Sequence, residues 1–124
     1  MIVGLGVDIE EVERVHRLAD QYRQRFLDRV FTRQEQEYCF GRARPYHHLA
    51  ARFAAKEALS KALGTGWTGR FRWCDAEVMK DEQGKPSFRL HNELLDQASG
   101  RNILLSLSQA SDHVVATVVI ETKD

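Results

Sequence analysis

Asp8, Glu10 and Glu11 put three carboxylates into four positions near the start of the chain, and Glu57 and Lys61 stand four apart further along. Two hard carboxylates such as Asp8 and Glu57, one from a strand end and one from a helix, would form an incomplete shell that suits Mg²⁺. That ion takes few protein ligands and completes its octahedron with waters and phosphate oxygens. Held in this way it can clamp a pyrophosphate and neutralise charge while a phosphoryl group moves. Each feature also has an ordinary reading. Asp8-Ile9-Glu10-Glu11 fits a capping box at a helix start. Glu57 and Lys61 fit a surface ion pair worth about a few tenths of a kcal/mol, and Gly64-Thr65-Gly66 fits a helix C-cap followed by a loop. Three acids in four positions still exceed what one helix start requires, and a divalent cation would relieve them. Ala50 and Ala54 share the face of Glu57 and Lys61, so small side chains there are expected to leave room for a ligand. The glycine loop follows a helix C-terminus, where the dipole repels anions, so Lys61 or a metal would have to attract any phosphate.

The elements that must position these residues can be read from periodicity. Ile2 to Asp8 reads as a strand, and Ile9, Val12 and Val15 recur at helical spacing in a segment running to about Gln21. Phe26, Leu27, Val30 and Phe31 form a second apolar face, and Thr32-Arg33-Gln34-Glu35 is a capping box opening a helix to about Arg42. His47 to Leu63 contains no Gly or Pro and predicts the longest helix, closed by Gly64. Beyond it the period becomes two. Phe71 to Met79 and Pro86 to Leu90 read as strands joined by a turn, His91 to Ser99 as a short helix, and Ile103 to Ser108 and His113 to Glu121 as two final strands. That order is α+β, an antiparallel sheet with a long helix, in a single domain over residues 1–124.

The 124 residues carry 18 Lys+Arg and 18 Asp+Glu, a formal net charge of zero that by itself names no partner. The balance is uneven along the chain. From Arg14 to Arg44 there are eight arginines (Arg14, Arg17, Arg23, Arg25, Arg29, Arg33, Arg42, Arg44) against Asp20, Asp28, Glu35 and Glu37, a window of +4. Arginine's planar fork suits carboxylates and phosphates. No apolar run approaches the length of about 18 residues that spans a bilayer, and Met1 to Asp8 reads as a strand rather than a secretory leader. Cys39 and Cys74 form no CxxC pair, so two reduced thiols in a cytoplasmic protein are expected. His16, His47, His48, His91 and His113 form no i, i+4 pair and read as packing or surface residues. An RNA-binding reading of the arginine window is disfavoured, because its aromatics fall at helical apolar positions rather than on a stacking sheet.

Three segments carry a resemblance: Gly4-Leu5-Gly6-Val7-Asp8-Ile9-Glu10-Glu11-Val12-Glu13-Arg14-Val15, the run from Arg52 through Lys56-Glu57-Ala58-Leu59-Ser60-Lys61 to Gly66, and Gly84-Lys85-Pro86. They closely resemble the holo-acyl-carrier-protein synthases, the short single-repeat class of 4′-phosphopantetheinyl transferases. The resemblance implies transfer of the 4′-phosphopantetheine arm from coenzyme A to a serine of apo-acyl carrier protein, in the service of fatty-acid synthesis, on a trimer whose sites are shared between neighbours. It further implies that Asp8 and Glu57 hold Mg²⁺, and that Lys61, Gly64, Thr65, Gly66 and Pro86 meet coenzyme A. Arg14 matches a carrier-docking arginine, with Arg23 and Arg25 in the region that meets the acidic carrier. Glu10 is a candidate for the base. Where many members have a His after S-x-S, this chain has Gln109, which can hydrogen-bond but cannot take a proton.

Overall fold

In the computed structural model, which describes residues 1–64 and 72–123, a long helix lies across a three-stranded antiparallel sheet. Strand β1 (Ile2–Glu11) leads into α1 (Val12–Tyr22), α2 (Gln24–Val30), α3 (Arg33–Phe40) and the long α4 (Pro45–Leu63). A 3-10 turn at Trp73–Asp75 precedes β2 (Ala76–Lys80) and β3 (Pro86–Leu90), and α5 (Asn92–Gln97), β4 (Arg101–Gln109) and β5 (His113–Thr122) complete the chain. The main sheet has the order β1-β5-β4, while β2 and β3 form a separate hairpin.

Helix α4 forms because its ends are defined and its middle is rich in alanine. Pro45 occupies its first turn, where a missing N–H costs nothing. Gly64 closes it at φ 78°, a left-handed conformation that glycine adopts without strain, and its N–H reaches the carbonyls of Ser60 and Lys61. Buried residues occur all around the helix, including Ala50, Ala54, Ala55, Ala58 and Leu59, which marks it as the centre of the core. Ala50 and Ala54 are fully buried and leave no room for a ligand, contrary to the expectation from their size.

Glycine brings β1 against α4. A Cβ built on Gly6 would lie 2.0 Å from the Ala58 carbonyl oxygen, and one on Gly4 would lie 2.4 Å from that of Ala62. Strand and helix backbones are therefore in direct contact, a distance that no side chain permits. The same face of the sheet presents Val114, Ala116, Val118 and Ile120 of β5, all buried.

Two boundaries differ from the periodic reading by three residues or more, the others by at most two. β1 continues three residues past Asp8, because β5 offers partners that far: Glu10 pairs with Val114 and Glu11 with His113. Asp8 thus lies within a strand and caps no helix, and Glu11, which does precede α1, makes no side-chain cap bond. The segment from Phe71 begins outside the described residues, and Trp73–Asp75 is a turn rather than strand. Its fold is set by long-range bonds: the Asp75 carboxylate accepts from Asn92 Nδ2 at 2.8 Å and its carbonyl from the His91 N–H at 2.9 Å. The capping box of Thr32 and Glu35 forms as its sequence requires.

Candidate active site

Because Asp8 stands on the inward face of β1 and that strand touches α4, its carboxylate meets the last turns of the helix. Asp8 Oδ1 accepts from Lys61 Nζ at 3.0 Å, and the same ammonium donates to the Val7 carbonyl at 3.0 Å. Asp8 Oδ2 is buried and accepts no hydrogen bond while Glu10 is ionised; a protonated Glu10 carboxyl beside it is a donor to the Asp8 carboxylate. A buried carboxylate oxygen without a partner is costly, and an ion or a donor from a ligand would satisfy it.

Two further acids surround it. Glu10, two residues on along the same face, has its pKa pushed up to about 7, first by burial and then by its contact with Asp8; Arg14, donating to Glu10 Oε1 at 2.8 Å, opposes the shift. Glu57 is also raised, by burial and then by the charge of Asp8, with Lys61 and Arg14 opposing. At neutral pH Glu10 is therefore only partly ionised, a proton standing where a cation would otherwise balance the cluster. The donor set, all hard carboxylate oxygens with one oxygen unpartnered, suits Mg²⁺ rather than a soft metal. Among the described residues no three His, Cys, Asp or Glu side chains close into a complete metal shell. Two carboxylates that leave positions for water and phosphate are what such an ion needs.

Lys61 and Gly64 lie together at this end of α4, and Thr65 and Gly66 are outside the described residues. Pro86 is elsewhere. It pairs with Lys80 in the hairpin, and Lys80 shares a cleft of about 550 Å³ with Tyr38, Arg42, His48, Asp81, Glu82 and Gly84. His48 is thirteen positions before Lys61 on one helix, roughly 20 Å along its axis. One chain therefore separates the residues expected to meet coenzyme A into two places.

The cleft's charges balance, Arg42 and Lys80 against Asp81 and Glu82. The guanidiniums of Arg42 and Arg52 lie 4.2 and 4.4 Å from the centre of the Tyr38 ring. Burial lowers the His48 pKa, and Lys80, Arg52, Arg42 and His47 lower it further. Periodicity gave no hint of Arg52, whose charge is fully buried. Gln109 ends β4 and pairs with Val114, which pairs with Glu10, so Gln109 stands on the acid-bearing face two strands, roughly 10 Å, from Glu10.

Arg14, half exposed, adjoins the cluster through Glu10 and lies 5.8 Å over the Phe53 ring. Arg23 joins α1 to α2 at φ 52°, and Arg25 lines a groove of about 280 Å³ with Leu18, Tyr22, Phe26 and Arg29. Of the aromatics of this window, Phe31 is buried and Phe26 packs on Phe31 and Phe53, while Tyr22 and Phe40 are exposed. Two of the remaining histidines make long-range contacts, His16 stacking on Tyr46 at 3.7 Å and His47 bonding the Ser111 carbonyl. Cys39 is buried, with its thiol pushed up to about 11 by burial, and Cys74 is partly buried; neither forms a disulfide. No helix among the described residues is long and apolar enough to cross a membrane.

Residues 4–118 match the 4′-phosphopantetheinyl transferase superfamily. The chain is similar to a holo-[acyl-carrier-protein] synthase from Protochlamydia amoebophila, 44% identical over 119 residues that span 96% of this chain and 98% of that one. Among solved structures it resembles the holo-[acyl-carrier-protein] synthase of Neisseria meningitidis, with a TM-score of 0.91 at 37% identity, covering 98% of this chain and 100% of the other. It also resembles the enzyme of that name from Bacillus anthracis, solved in complex with CoA (3′,5′-ADP), with a TM-score of 0.83 at 36% identity over 98% of each chain. With its α+β fold, its acid cluster and these likenesses along nearly its whole length, the chain belongs to the 4′-phosphopantetheinyl transferase superfamily.

Proposed function

We propose that this enzyme moves the 4′-phosphopantetheine arm from coenzyme A to a serine of an apo-acyl carrier protein of fatty-acid synthesis, in the cytoplasm and with Mg²⁺. The serine oxygen forms a bond to the phosphorus that bears the pantetheine, the pyrophosphate P–O bond breaks, and adenosine 3′,5′-bisphosphate leaves. The single observation that carries this reading is the unpartnered buried Oδ2 of Asp8, flanked by Glu10 and Glu57 and adjoined by Lys61. Mg²⁺ held by Asp8 and Glu57 would supply charge neutralisation on the pyrophosphate. Lys61, its side chain half exposed, is free to add a phosphate oxygen to its contacts. Glu10 is positioned beside Asp8 as the candidate acceptor of the serine proton. The test is to incubate the protein with Mg²⁺, coenzyme A and an apo-acyl carrier protein, then weigh the carrier by mass spectrometry. One added phosphopantetheine arm is expected, and an unchanged carrier mass would overturn the reading.

The carrier, an acidic protein, would dock on Arg14, Arg23 and Arg25 beside the groove at Phe26. Arg14→Glu is expected to raise the KM for the carrier about tenfold at low salt and less at high salt, with coenzyme A affinity unchanged. Equal loss for both substrates would show that Arg14 serves Glu10 alone.

A homotrimer would join the two separated halves of the coenzyme A site, Lys61 and Gly64 from one subunit with Pro86 and the cleft at Lys80 from its neighbour. Supporting it, the outward face of β1, with Leu104 of β4 two strands away, is apolar and exposed: Leu5, Val7, Ile9 and Leu104 are 67%, 55%, 63% and 51% exposed. A contiguous apolar sheet face of this kind marks an association surface. Leu5→Asp is expected to convert a species of three times the 14.3 kDa chain mass into monomer in sedimentation, with transfer lost. A wild-type chain that sediments as a monomer would remove the shared site.

A further inference from the structure

Lys56 precedes Glu57 on α4 but points into the core, where it is fully buried. Its ammonium has three donors, and each finds an acceptor: the Val30 carbonyl at 2.7 Å, Glu35 Oε1 at 2.7 Å and the Trp73 carbonyl at 3.1 Å. Those acceptors come from three separate pieces of chain. Val30 ends α2, Glu35 opens α3, and Trp73 begins the turn that leads to β2.

Glu35 extends the linkage. Its Oε1 also accepts from the Thr32 N–H at 2.9 Å, and its Oε2 from the Val78 N–H of β2 at 2.9 Å. Thr32 donates its hydroxyl proton to Glu77 Oε2 at 2.7 Å, and Glu77 Oε1 meets His91 Nε2 at 3.1 Å. Four elements are thus fastened to α4 at the residue beside Glu57.

Stability does not account for a charge here. Taking an ammonium and a carboxylate out of water is costly, and well-packed apolar side chains of similar volume are often as stabilising or more so. A saturated ammonium does something that an apolar side chain cannot: it fixes the direction of three partners at once, since hydrogen bonds weaken steeply when distance or angle is lost. One of those partners is the C-terminal carbonyl of α2, the helix that carries Arg25 and follows Arg23. Carrier docking and the carboxylate of Glu57 are therefore joined through one side chain.

We propose that Lys56 and Glu35 form a positioning pair that holds the docking helix α2 and the turn at Trp73 in register with Glu57, and so with the acid cluster. The inference rests on the transferase reading above. Lys56 touches no substrate; it acts through the elements it ties together. Displacement of a bound group by about 1 Å can cost about a hundredfold in rate, so a core that still folds without the pair is expected to turn over poorly.

Two variants test this, with the wild type assayed alongside. Glu35→Gln keeps the side-chain shape and an oxygen for the cap, and the double variant Lys56→Met with Glu35→Gln removes both charges. Both are expected to stay folded by circular dichroism, to bind coenzyme A within about twofold of wild type in calorimetry, and to lose kcat/KM for the carrier. The loss is expected to be about threefold in the single variant and about tenfold or more in the double. A merely structural role would lower the melting temperature without separating the two substrates. Wild-type kinetics in a folded variant, or equal loss for coenzyme A and carrier, overturns the proposal. If the double variant does not fold, Glu35→Gln decides alone by the same split. A wild type that transfers nothing overturns the transferase reading itself, and the pair's role falls with it.

Discussion

Asp8→Asn is expected to lower the transfer rate about 10²- to 10³-fold, roughly 3–4 kcal/mol of lost transition-state stabilisation, while the fold survives. Asparagine keeps the shape and can still accept from Lys61, whose present bond to Asp8 Oδ1 is 3.0 Å long. What it removes is the negative charge at Asp8 Oδ2, the one buried side-chain oxygen among the described residues without a hydrogen-bond donor. The charge of Asp8 is also a cause of the raised pKa values of Glu10 and Glu57, so its loss relieves repulsion in the folded state, and thermal stability should not fall. Glu57→Gln is expected to act in the same direction from the helix side. The measurements are the transfer rate as a function of Mg²⁺ concentration and Mg²⁺ binding by calorimetry. Turnover and Mg²⁺ affinity within about threefold of wild type in either variant would remove the metal assignment.

Gly6→Ala is expected to cost at least about 3 kcal/mol and to lower the melting temperature by roughly 10 °C or more. One methyl group is involved, but its position is 2.0 Å from the Ala58 carbonyl oxygen and 2.8 Å from the Ala62 nitrogen. Both are backbone atoms of the central helix and cannot swing aside as a side chain does. The strand would have to withdraw, and Asp8, two residues along, would withdraw from Lys61 with it. Transfer should therefore fall along with stability. Gly64→Ala tests a different property, because nothing lies within 4 Å of its Cβ position and only the left-handed φ of 78° is strained. Its effect should be the smaller of the two, about 1 kcal/mol. Thermal unfolding of both proteins decides the order, and a melting temperature for Gly6→Ala within about 2 °C of wild type would contradict the close contact.

What the sequence showed was whatever depends on near neighbours. Thr32 and Glu35 are three residues apart and form their capping box locally, and Gly64 ends α4 by its own conformational freedom. Pro86–Leu90 has the bounds that its alternation suggested, because a hairpin partner is a few residues away. Asp8 was misplaced in its ordinary reading because D-x-x-E is a helix start only if the strand has ended, and where β1 ends is decided by β5, more than a hundred positions later. Lys56 and Arg52 look like the solvent stripe of a helix, yet both are buried. Their partners, Val30, Glu35 and Trp73 for the first and the Tyr38 ring for the second, come from segments whose approach no local pattern records. The acid cluster was visible as residue types, and the resemblance joined Asp8 to Glu57. Its electrostatic character, with Glu10 near neutrality and one oxygen unpartnered, belongs to the folded chain alone.

In the proposed trimer, the exposed outer face of β1 would tie folding to the amount of protein present. Leu5, Val7 and Ile9 lie on an edge strand and are more than half exposed. If copies of the chain cover that face in the proposed trimer, the equilibrium with unfolded monomer would carry the protein concentration to the third power. Dilution then acts as a denaturant, and a melting temperature has meaning only beside the concentration at which it was read. A cell that makes little of this enzyme would hold it nearer its unfolding limit than one that makes much, with no change in a single residue.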